Sequence, residues 1–213
     1  MADNYLGRKM EEYFARPAEK PHHRGGALGR LLLKNRSYRG YDTSFKVRED
    51  QLRRIIEVNT RIASACNQQV LRFRAVLDDE ADKVLPHIKL GATLAELNLP
   101  YPGTEPRAFV VICSTKEEGR YVDIDLGFSA QSMLLQAVEM GLNGITIAAF
   151  DRAKVREALG LDLEPLLIVA FGKGAEKIEL KPIRATESTK YWRENGTHYV
   201  PKITAEDLII PRK

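Results

Sequence analysis

Two arginines and a serine lie within four residues of one another in the first third of the chain, at Arg36, Ser37 and Arg39. A guanidinium offers a planar fork of donors and a serine hydroxyl adds one more, so the three side chains together suit a phosphate group. Solvated surface arginines occur at the same spacing, and the motif by itself leaves both interpretations open.

A second polar group follows a predicted helix and precedes a predicted strand. The small side chains of Ser64 and Ala65 would let the backbone approach a flat ligand, while Asn67 and Gln69 each bring a donor and an acceptor for the edge of a heterocycle. An ordinary polar loop has the same composition. Cys66, in the middle of this group, is either a thiol beside a ligand or a small buried hydrophobe.

Two small residues, Ala148 and Ala149, stand where a predicted strand ends and a predicted helix begins at Asp151. Their backbone N–H groups could face a ligand without obstruction, because ligands often bind at the carboxyl ends of strands. The alternative is a plain buried strand.

Composition excludes several classes of protein. The chain has 213 residues, of which 44% are hydrophobic and 29% charged, and its apolar runs are far too short to span a membrane. No basic stretch followed by an apolar one marks a secretory signal at the start. Two cysteines rule out a disulfide scaffold, and four scattered histidines give no metal-binding pattern. A cytoplasmic protein without a metal site is therefore expected.

Charge is unevenly distributed along the chain. Residues 1–74 hold sixteen Lys and Arg against eight Asp and Glu, a net charge of +8, whereas residues 75–213 have a net charge of −4. An anionic ligand would therefore bind most readily in the first third, unless this region is only a solvated basic arm.

Hydrophobic periodicity predicts alternating helices and strands. A short helix 5–14 is predicted within an N-terminal arm, 1–27. The other predicted helices are 28–35, 48–59, 82–97, 125–140 and 151–159, and the predicted strands are 73–77, 108–113, 145–150 and 166–171. The helix 125–140 reads as buried nearly all round, and Asp123 and Asp125 read as its capping residues. This mixture fits an α/β or an α+β fold.

After residue 171 the regular pattern is lost. The segment from about 181 carries Tyr191, Trp192 and Tyr199 without periodicity, and such an aromatic tail is expected to wrap another surface, for example that of a partner subunit. One domain with two arms is the predicted organisation.

These motifs, in this order, resemble the FMN-dependent nitroreductase family over about residues 28–208. The resemblance rests on the arginine–serine group, the polar loop, the long helix ending at Gly141, the small-residue strand end, the strand 165–172 and Pro201-Lys202. It implies an α+β fold in which a central, mostly antiparallel sheet is wrapped by helices. It also implies an intertwined homodimer with FMN at the interface, and a domain 28–213 that includes the C-terminal arm.

Family likeness assigns a role to each matching position. Arg36, Ser37 and Arg39 would hold the FMN phosphate and the adjacent ribityl chain or ring edge, with Lys202 as a further cation. The residues implied to line the ring from the partner subunit are Ser64, Ala65, Asn67 and Gln69. Ala148 and Ala149 would offer backbone N–H groups near flavin N5 and O4.

The chain departs from the usual family pattern at several of these motifs. The departures are as follows, each given with the usual family residue. Asn35 replaces a further arginine, Ala63 a proline, Val70-Leu71 the pair Pro-Trp, Ala148-Ala149 an acid–glycine or double-glycine pair, and Ile203 an arginine. These changes alter the lining of the expected site and hence its substrate choice.

The expected function is that of an FMN-dependent NAD(P)H oxidoreductase, which would pass a hydride from NADH or NADPH through flavin N5 to a small acceptor such as a nitroaromatic or a quinone, by a ping-pong mechanism. The flavin would carry the chemistry, so no catalytic side chain is expected. A non-catalytic flavin-binding or flavin-handling protein would share every binding residue. A nucleic-acid partner is disfavoured because the net charge is only +4 and aromatic residues are not interleaved with the basic cluster.

Overall fold

A computed structural model describes residues 26–91 and 97–212 of the chain. The predicted helix 5–14 and nearly all of the N-terminal arm lie outside these residues. The described helices are α1 (Ala27–Lys34), α2 (Glu49–Glu57), α3 (Arg120–Glu139), α4 (Arg152–Leu159) and α5 (Ala205–Leu208). The described strands are β1 (Leu71–Val76), β2 (Ala108–Ser114), β3 (Asn143–Ile147), β4 (Glu164–Gly172), β5 (Lys177–Ile183), β6 (Trp192–Glu194) and β7 (Thr197–Ile203).

The larger sheet has the strand order β1-β2-β4-β3, and each neighbouring pair is antiparallel. β2 is buried along its whole length, as its continuous apolar run predicts. On one face of the sheet the core includes Leu52 of α2 and Met133 of α3, and on the other it includes Val84 and Val155. Helices packed on a mainly antiparallel sheet confirm the expected α+β fold.

The long helix α3 begins at Arg120, five residues before the predicted start, and Val122, one turn before Leu126, extends its buried face. Its buried face includes Met133 and packs on the sheet. The prediction that it is buried nearly all round is wrong. Tyr121, Ile124 and Phe128 are 57%, 37% and 48% exposed and form an apolar stripe at helical spacing on the outer face.

The predicted helix 82–97 is wrong for its described part. Two 3₁₀ turns, Ala81–Lys83 and Leu85–His87, occupy its start, and a proline without an N–H stands in the second turn. Beyond them the backbone N–H of Lys89 donates to the carbonyl of Ala149 at 2.8 Å, which draws the chain out beside the end of β3. A tertiary hydrogen bond here replaces the intrahelical one.

A second, smaller sheet follows β4, with the order β5-β7-β6 and with β5 parallel to β7. The expectation that the tail lacks regular structure is therefore wrong. Its aromatic residues also pack within their own chain: Tyr191 meets His198 edge to face, and Trp192 stacks on Tyr199. The strands were missed because β6 has only three residues, β7 carries polar and apolar residues on both faces, and β5 and β7 each contain a proline, which is uncommon within strands.

The segment that follows α1 is attached to the start of β3 and to the residues just after β4, which lie at the same end of this antiparallel strand pair. Ser37 forms a parallel bridge with Gly144, and the N–H of Tyr38 donates to the Gly144 carbonyl at 3.2 Å. Tyr41 forms an antiparallel bridge with Gly174. The arginine–serine group is thus held against the sheet by backbone contacts, and its side chains are free to point elsewhere.

Replacing Gly144 with alanine is expected to lower the free energy of unfolding by about 1–3 kcal/mol. A Cβ there would lie 2.6 Å from the carbonyl oxygen of Ala170 and 2.7 Å from the side chain of Leu134, so rigid backbone would have to move. Chemical denaturation would measure the change. Gly29→Ala is the matched control, since a Cβ at that helical position meets nothing within 4 Å; equal stability of the two variants would contradict the prediction.

Candidate functional site

A cavity of roughly 420 Å³ opens between the end of α1 and the smaller sheet. Four of the residues predicted to bind the cofactor line it, namely Arg36, Ser37, Arg39 and Lys202. The other lining residues are Leu32, Asn35, Gln131, Ile178, Tyr191, His198 and Val200. We call this the anion cavity, because arginine and lysine line it and, within residues 26–91 and 97–212, no aspartate or glutamate does.

Arg39 is the most constrained of these cations, since only 9% of it is exposed. Its backbone N–H donates to the carboxylate of Glu176, and its Nη1 donates to the carbonyl of Ser37 at 3.1 Å. Its guanidinium carbon lies 5.0 Å from the ring centroid of Tyr191, a cation–π distance. These contacts orient the guanidinium before any ligand binds.

The arginines of the anion cavity keep unused donors. The Nη2 of Arg36 donates to the carbonyl of Leu32, one helical turn back. Within the described part of the chain, however, the Nε–H groups of Arg36 and Arg39 are buried and have no hydrogen-bond partner. Burial also lowers the pKa of Arg36 from its ordinary value. Buried donors without partners are costly, and an oxyanion in the cavity would satisfy them.

His198 was absent from the sequence-based set, yet it forms part of the wall of the anion cavity and is only 3% exposed. Burial first, and then the charges of Arg39 and Arg193, lower its pKa to about 4, against a smaller opposing effect of Glu176. The ring is therefore uncharged at neutral pH. No sequence signal pointed to it, because Arg39, whose guanidinium lies beside its ring, is 159 residues away along the chain.

A second cavity, of roughly 490 Å³, contains the predicted ring-binding loop. Ser64, Asn67 and Gln69 line it, together with residues of α2, β1 and α3. Among the described residues, none that lines this cavity also lines the anion cavity. The structure therefore brings the predicted site residues together in two separate groups.

Asp125 of α3 holds this loop in place. Its carboxylate accepts hydrogen bonds from the backbone N–H of Ala65 at 2.6 Å, the hydroxyl of Ser64 at 2.9 Å and the amide of Gln68 at 3.0 Å. Burial raises the pKa of Asp125, but these three hydrogen bonds outweigh that effect and lower it. The capping role predicted for Asp125 is wrong, because α3 starts earlier and this carboxylate lies within it.

Asp125 could have been found from the sequence. It stands four residues before Ser129, and both are polar positions on an otherwise apolar helix face. Ser129 donates to the side chain of Asn59 at 2.6 Å. Polar residues that interrupt a buried stripe need partners, so this pair indicates a polar segment packed against the helix.

Three predicted residues line neither cavity. Ala65 uses its backbone N–H to bind Asp125, and Ala148 and Ala149 are exposed just beyond the end of β3. Cys66 is exposed in the loop, whereas Cys113 is buried in β2.

A family model of the nitroreductase family matches residues 32–173, more than half of the chain. The chain belongs to the nitroreductase family. The match takes in the arginine–serine group, the polar loop, α3 and β4, and it stops just before β5. The smaller sheet, which supplies His198 and Lys202, lies outside it.

Other members of the nitroreductase family share the fold. A structure from Desulfovibrio desulfuricans, provisionally assigned as a nitroreductase in complex with FMN, has a TM-score of 0.59 and 21% identity over 71% of this chain and 88% of its own. A structure from Bacteroides thetaiotaomicron, provisionally assigned as an NADH dehydrogenase/NAD(P)H nitroreductase, has a TM-score of 0.58 and 22% identity over 80% of this chain and 98% of its own. A structure from Staphylococcus epidermidis, provisionally assigned as an NAD(P)H:FMN oxidoreductase, has a TM-score of 0.57 and 20% identity over 71% of this chain and 89% of its own.

A curated relative from Methanocaldococcus jannaschii, provisionally named a nitroreductase, is 35% identical over 57 residues. The chain spans only 29% of the length of that relative, and the aligned part is 27% of this chain. Within residues 26–91 and 97–212, no group of three or more His, Cys, Asp or Glu could hold a metal ion. The helices of that same part are too short or too polar to cross a bilayer.

The pKa of His198 predicts a pH dependence of stability for this nitroreductase-family chain. The unfolded chain binds a proton on this histidine near pH 6.5, whereas the folded chain does so only near pH 4. Because the unfolded state binds more protons between these values, the free energy of unfolding should fall as the pH is lowered from 6.5 to 4, by on the order of 2 kcal/mol.

Denaturation at several pH values would measure this effect as a difference between variants. His198→Gln should lose this part of the slope, while His87→Gln should keep it. Identical slopes for the native chain and His198→Gln would show that the histidine does not titrate in this window.

Proposed function

We propose that the chain is an FMN-dependent NAD(P)H oxidoreductase that reduces small acceptors such as nitroaromatics or quinones by a ping-pong mechanism. The observation that carries the proposal is the anion cavity, in which Arg36, Arg39 and Lys202 line one space without a carboxylate from the described part of the chain. The FMN-bound relative from Desulfovibrio desulfuricans and the NAD(P)H:FMN oxidoreductase from Staphylococcus epidermidis support it. We also propose a cytoplasmic location, because a chain with two cysteines suits a reducing compartment.

The residues present fit the phosphate end of FMN. A phosphate monoester brings close to two negative charges and three acceptor oxygens. The cavity offers three cations, the hydroxyl of Ser37 and the unpartnered Nε–H groups of Arg36 and Arg39. Buried, preoriented arginines bind such a group more strongly than solvated ones, because little side-chain entropy remains to be lost.

When bound, FMN would supply the hydride-transfer chemistry. The chain's own part is binding and orientation. The loop of Ser64, Asn67 and Gln69 presents amide donors and acceptors for the ring edge, and Asp125 fixes that loop. Ala148 and Ala149 remain proposed as backbone donors to the ring from the end of β3.

The separation of the two cavities leads us to propose a homodimer in which the anion cavity of one chain faces the polar loop of its partner. An exposed apolar surface suits such an interface. It consists of the α3 stripe of Tyr121, Ile124 and Phe128, and of leucines on α1. The α1 leucines are Leu28, Leu32 and Leu33, which are 60%, 41% and 68% exposed. Apolar area of this kind on neighbouring helices is typical of a protein–protein interface.

Absorbance spectroscopy and rapid mixing test the proposed activity. The purified chain, incubated with FMN and desalted, should keep the flavin spectrum, and NADH or NADPH should bleach it. A retained spectrum that neither nicotinamide bleaches would instead support the non-catalytic flavin-binding function. A colourless protein would refute both.

Arg39→Ala is expected to weaken FMN binding by about 1–3 kcal/mol, the scale of one lost charged hydrogen bond. Riboflavin, which lacks the phosphate, should bind the variant and the native chain more nearly alike. Fluorescence titration would measure both affinities. Arg53→Ala, an exposed arginine on α2, is the control; unchanged FMN affinity in Arg39→Ala would remove Arg39 from the site.

Phe128→Asp is expected to shift the chain from dimer to monomer, because it places a charge in the middle of the α3 stripe. Sedimentation velocity would show the change in mass. The matched control is Phe45→Asp, at a phenylalanine in the loop before α2 that is 37% exposed. A native chain that sediments as a monomer at every concentration would contradict the proposed assembly.

A further inference from the structure

His198 has no role in the function proposed above, yet it occupies a central place in the anion cavity. It lies on β7 between Arg39, whose Nη1 is 3.5 Å from its Nε2, and Tyr191, whose ring centroid is 5.1 Å from its own. Its Nδ1 is buried and has no hydrogen-bond partner within the described residues. A polar ring that is 97% buried and has one nitrogen unpaired requires an explanation.

Its neighbours determine which nitrogen carries the proton. A guanidinium can only donate, so Nε2 of His198 must act as the acceptor toward Arg39. The uncharged ring then carries its one hydrogen on Nδ1. The unpaired atom is therefore an N–H donor, and it joins the buried Nε–H groups of Arg36, Arg39 and Arg193, which also have no partner among the described residues.

His198 borders two cavities, and their charges differ. The anion cavity has Arg36, Arg39 and Lys202 on its walls and, among the described residues, no carboxylate. A neighbouring cavity of roughly 340 Å³ carries both signs of charge, with Glu176 and Glu194 beside Arg39, Lys177 and Arg193. Its two carboxylates offset its cations, so an oxyanion is favoured in the anion cavity, whose described lining carries positive charge only. The ligand that could use the Nδ1–H is thus an oxyanion in the anion cavity.

We propose that His198 is an anion-binding residue whose Nδ1–H donates to the phosphate monoester group held by Arg36 and Arg39. This assignment rests on the proposed function insofar as the phosphate is that of FMN. The histidine completes a shell of donors around the phosphate. The arginines supply positive charge, and the histidine ring supplies a directed hydrogen bond from β7.

A second property follows from the charges around the ring. Arg39 and Arg193 face it from the segment after α1 and from β6, Glu176 from the segment before β5, and Tyr191 from the segment before β6. The remaining charged groups of the two cavities are Arg36, Lys202, Lys177 and Glu194. A bound dianion would offset the two guanidiniums that now oppose protonation, so phosphate binding should draw a proton onto His198 in mildly acidic solution.

Two substitutions distinguish the effect of the Nδ1–H donor from that of losing the imidazole ring. His198→Asn places an amide close to the position of Nδ1 and should keep much of the phosphate binding. His198→Gln reaches the position of Nε2 and should lose the donor. Titration calorimetry with FMN and with riboflavin should show FMN affinity roughly tenfold lower in His198→Gln, close to native in His198→Asn, and riboflavin affinity nearly unchanged in both.

The same titrations in two buffers of different ionisation enthalpy at pH 5.5 would count the protons taken up. The native chain should take up more protons per FMN than either variant, since neither amide can be protonated. His87→Gln should match the native chain. Native FMN affinity in His198→Gln, or an equal loss for FMN and riboflavin, would overturn the proposal.

The failure of the proposed function would look different. If the native chain binds neither FMN nor riboflavin, the flavin assignment fails, and sodium sulfate becomes the probe, because its charge is constant over this pH range. Sulfate that stabilises the native chain and His198→Asn more than His198→Gln against thermal unfolding would support the histidine's role. Equal stabilisation of all three would refute it.

Discussion

The position of one buried cation, Arg39, constrains the architecture around the anion cavity. A guanidinium cannot shed its charge, so a chain that removes it from water must surround it with acceptors, aromatic faces and a counter-charge. Here the Ser37 carbonyl, the Tyr191 ring and His198 fulfil the first two needs. The Glu176 carboxylate, which binds the backbone N–H of Arg39 and also pairs with Arg193, fulfils the third. The smaller sheet can be understood as the scaffold that brings these groups to one point.

The helix α3 serves both halves of the candidate site. Its buried face packs on the larger sheet, Asp125 and Ser129 hold the segments that lead into and form the polar loop, and Gln131 reaches the wall of the anion cavity. Its outer face presents the apolar stripe. A rotation or shift of this helix would therefore disturb the loop, the cavity wall and the outer surface together, which explains why so rigidly packed an element occupies the middle of the chain.

Sequence reasoning predicted the parts of the molecule in which local pattern and tertiary environment agree. The apolar run of β2, the helix around Leu52 and the cap at Asp151 are of this kind. The family resemblance, and not spacing, brought Lys202 to Arg36 and Arg39. What it missed depends on contacts between distant residues. The chain after the turns that begin at Ala81 is held by a hydrogen bond to Ala149, and β7 is stabilised by its parallel partner β5. The position of His198 in the site is recognisable only once its contact with Arg39 is known.

The two side chains that meet at the back of the anion cavity, Arg39 and His198, are 159 residues apart along the chain. Contacts of such long sequence separation form late, because the loop between them must be closed before they stabilise anything. During synthesis, a ribosome-bound chain that ends at β4 can already pair the four strands of the larger sheet, but it lacks β7 and thus one wall of the cavity. Any ligand of this cavity would therefore be bound only once β7 has joined a domain whose larger sheet has already formed.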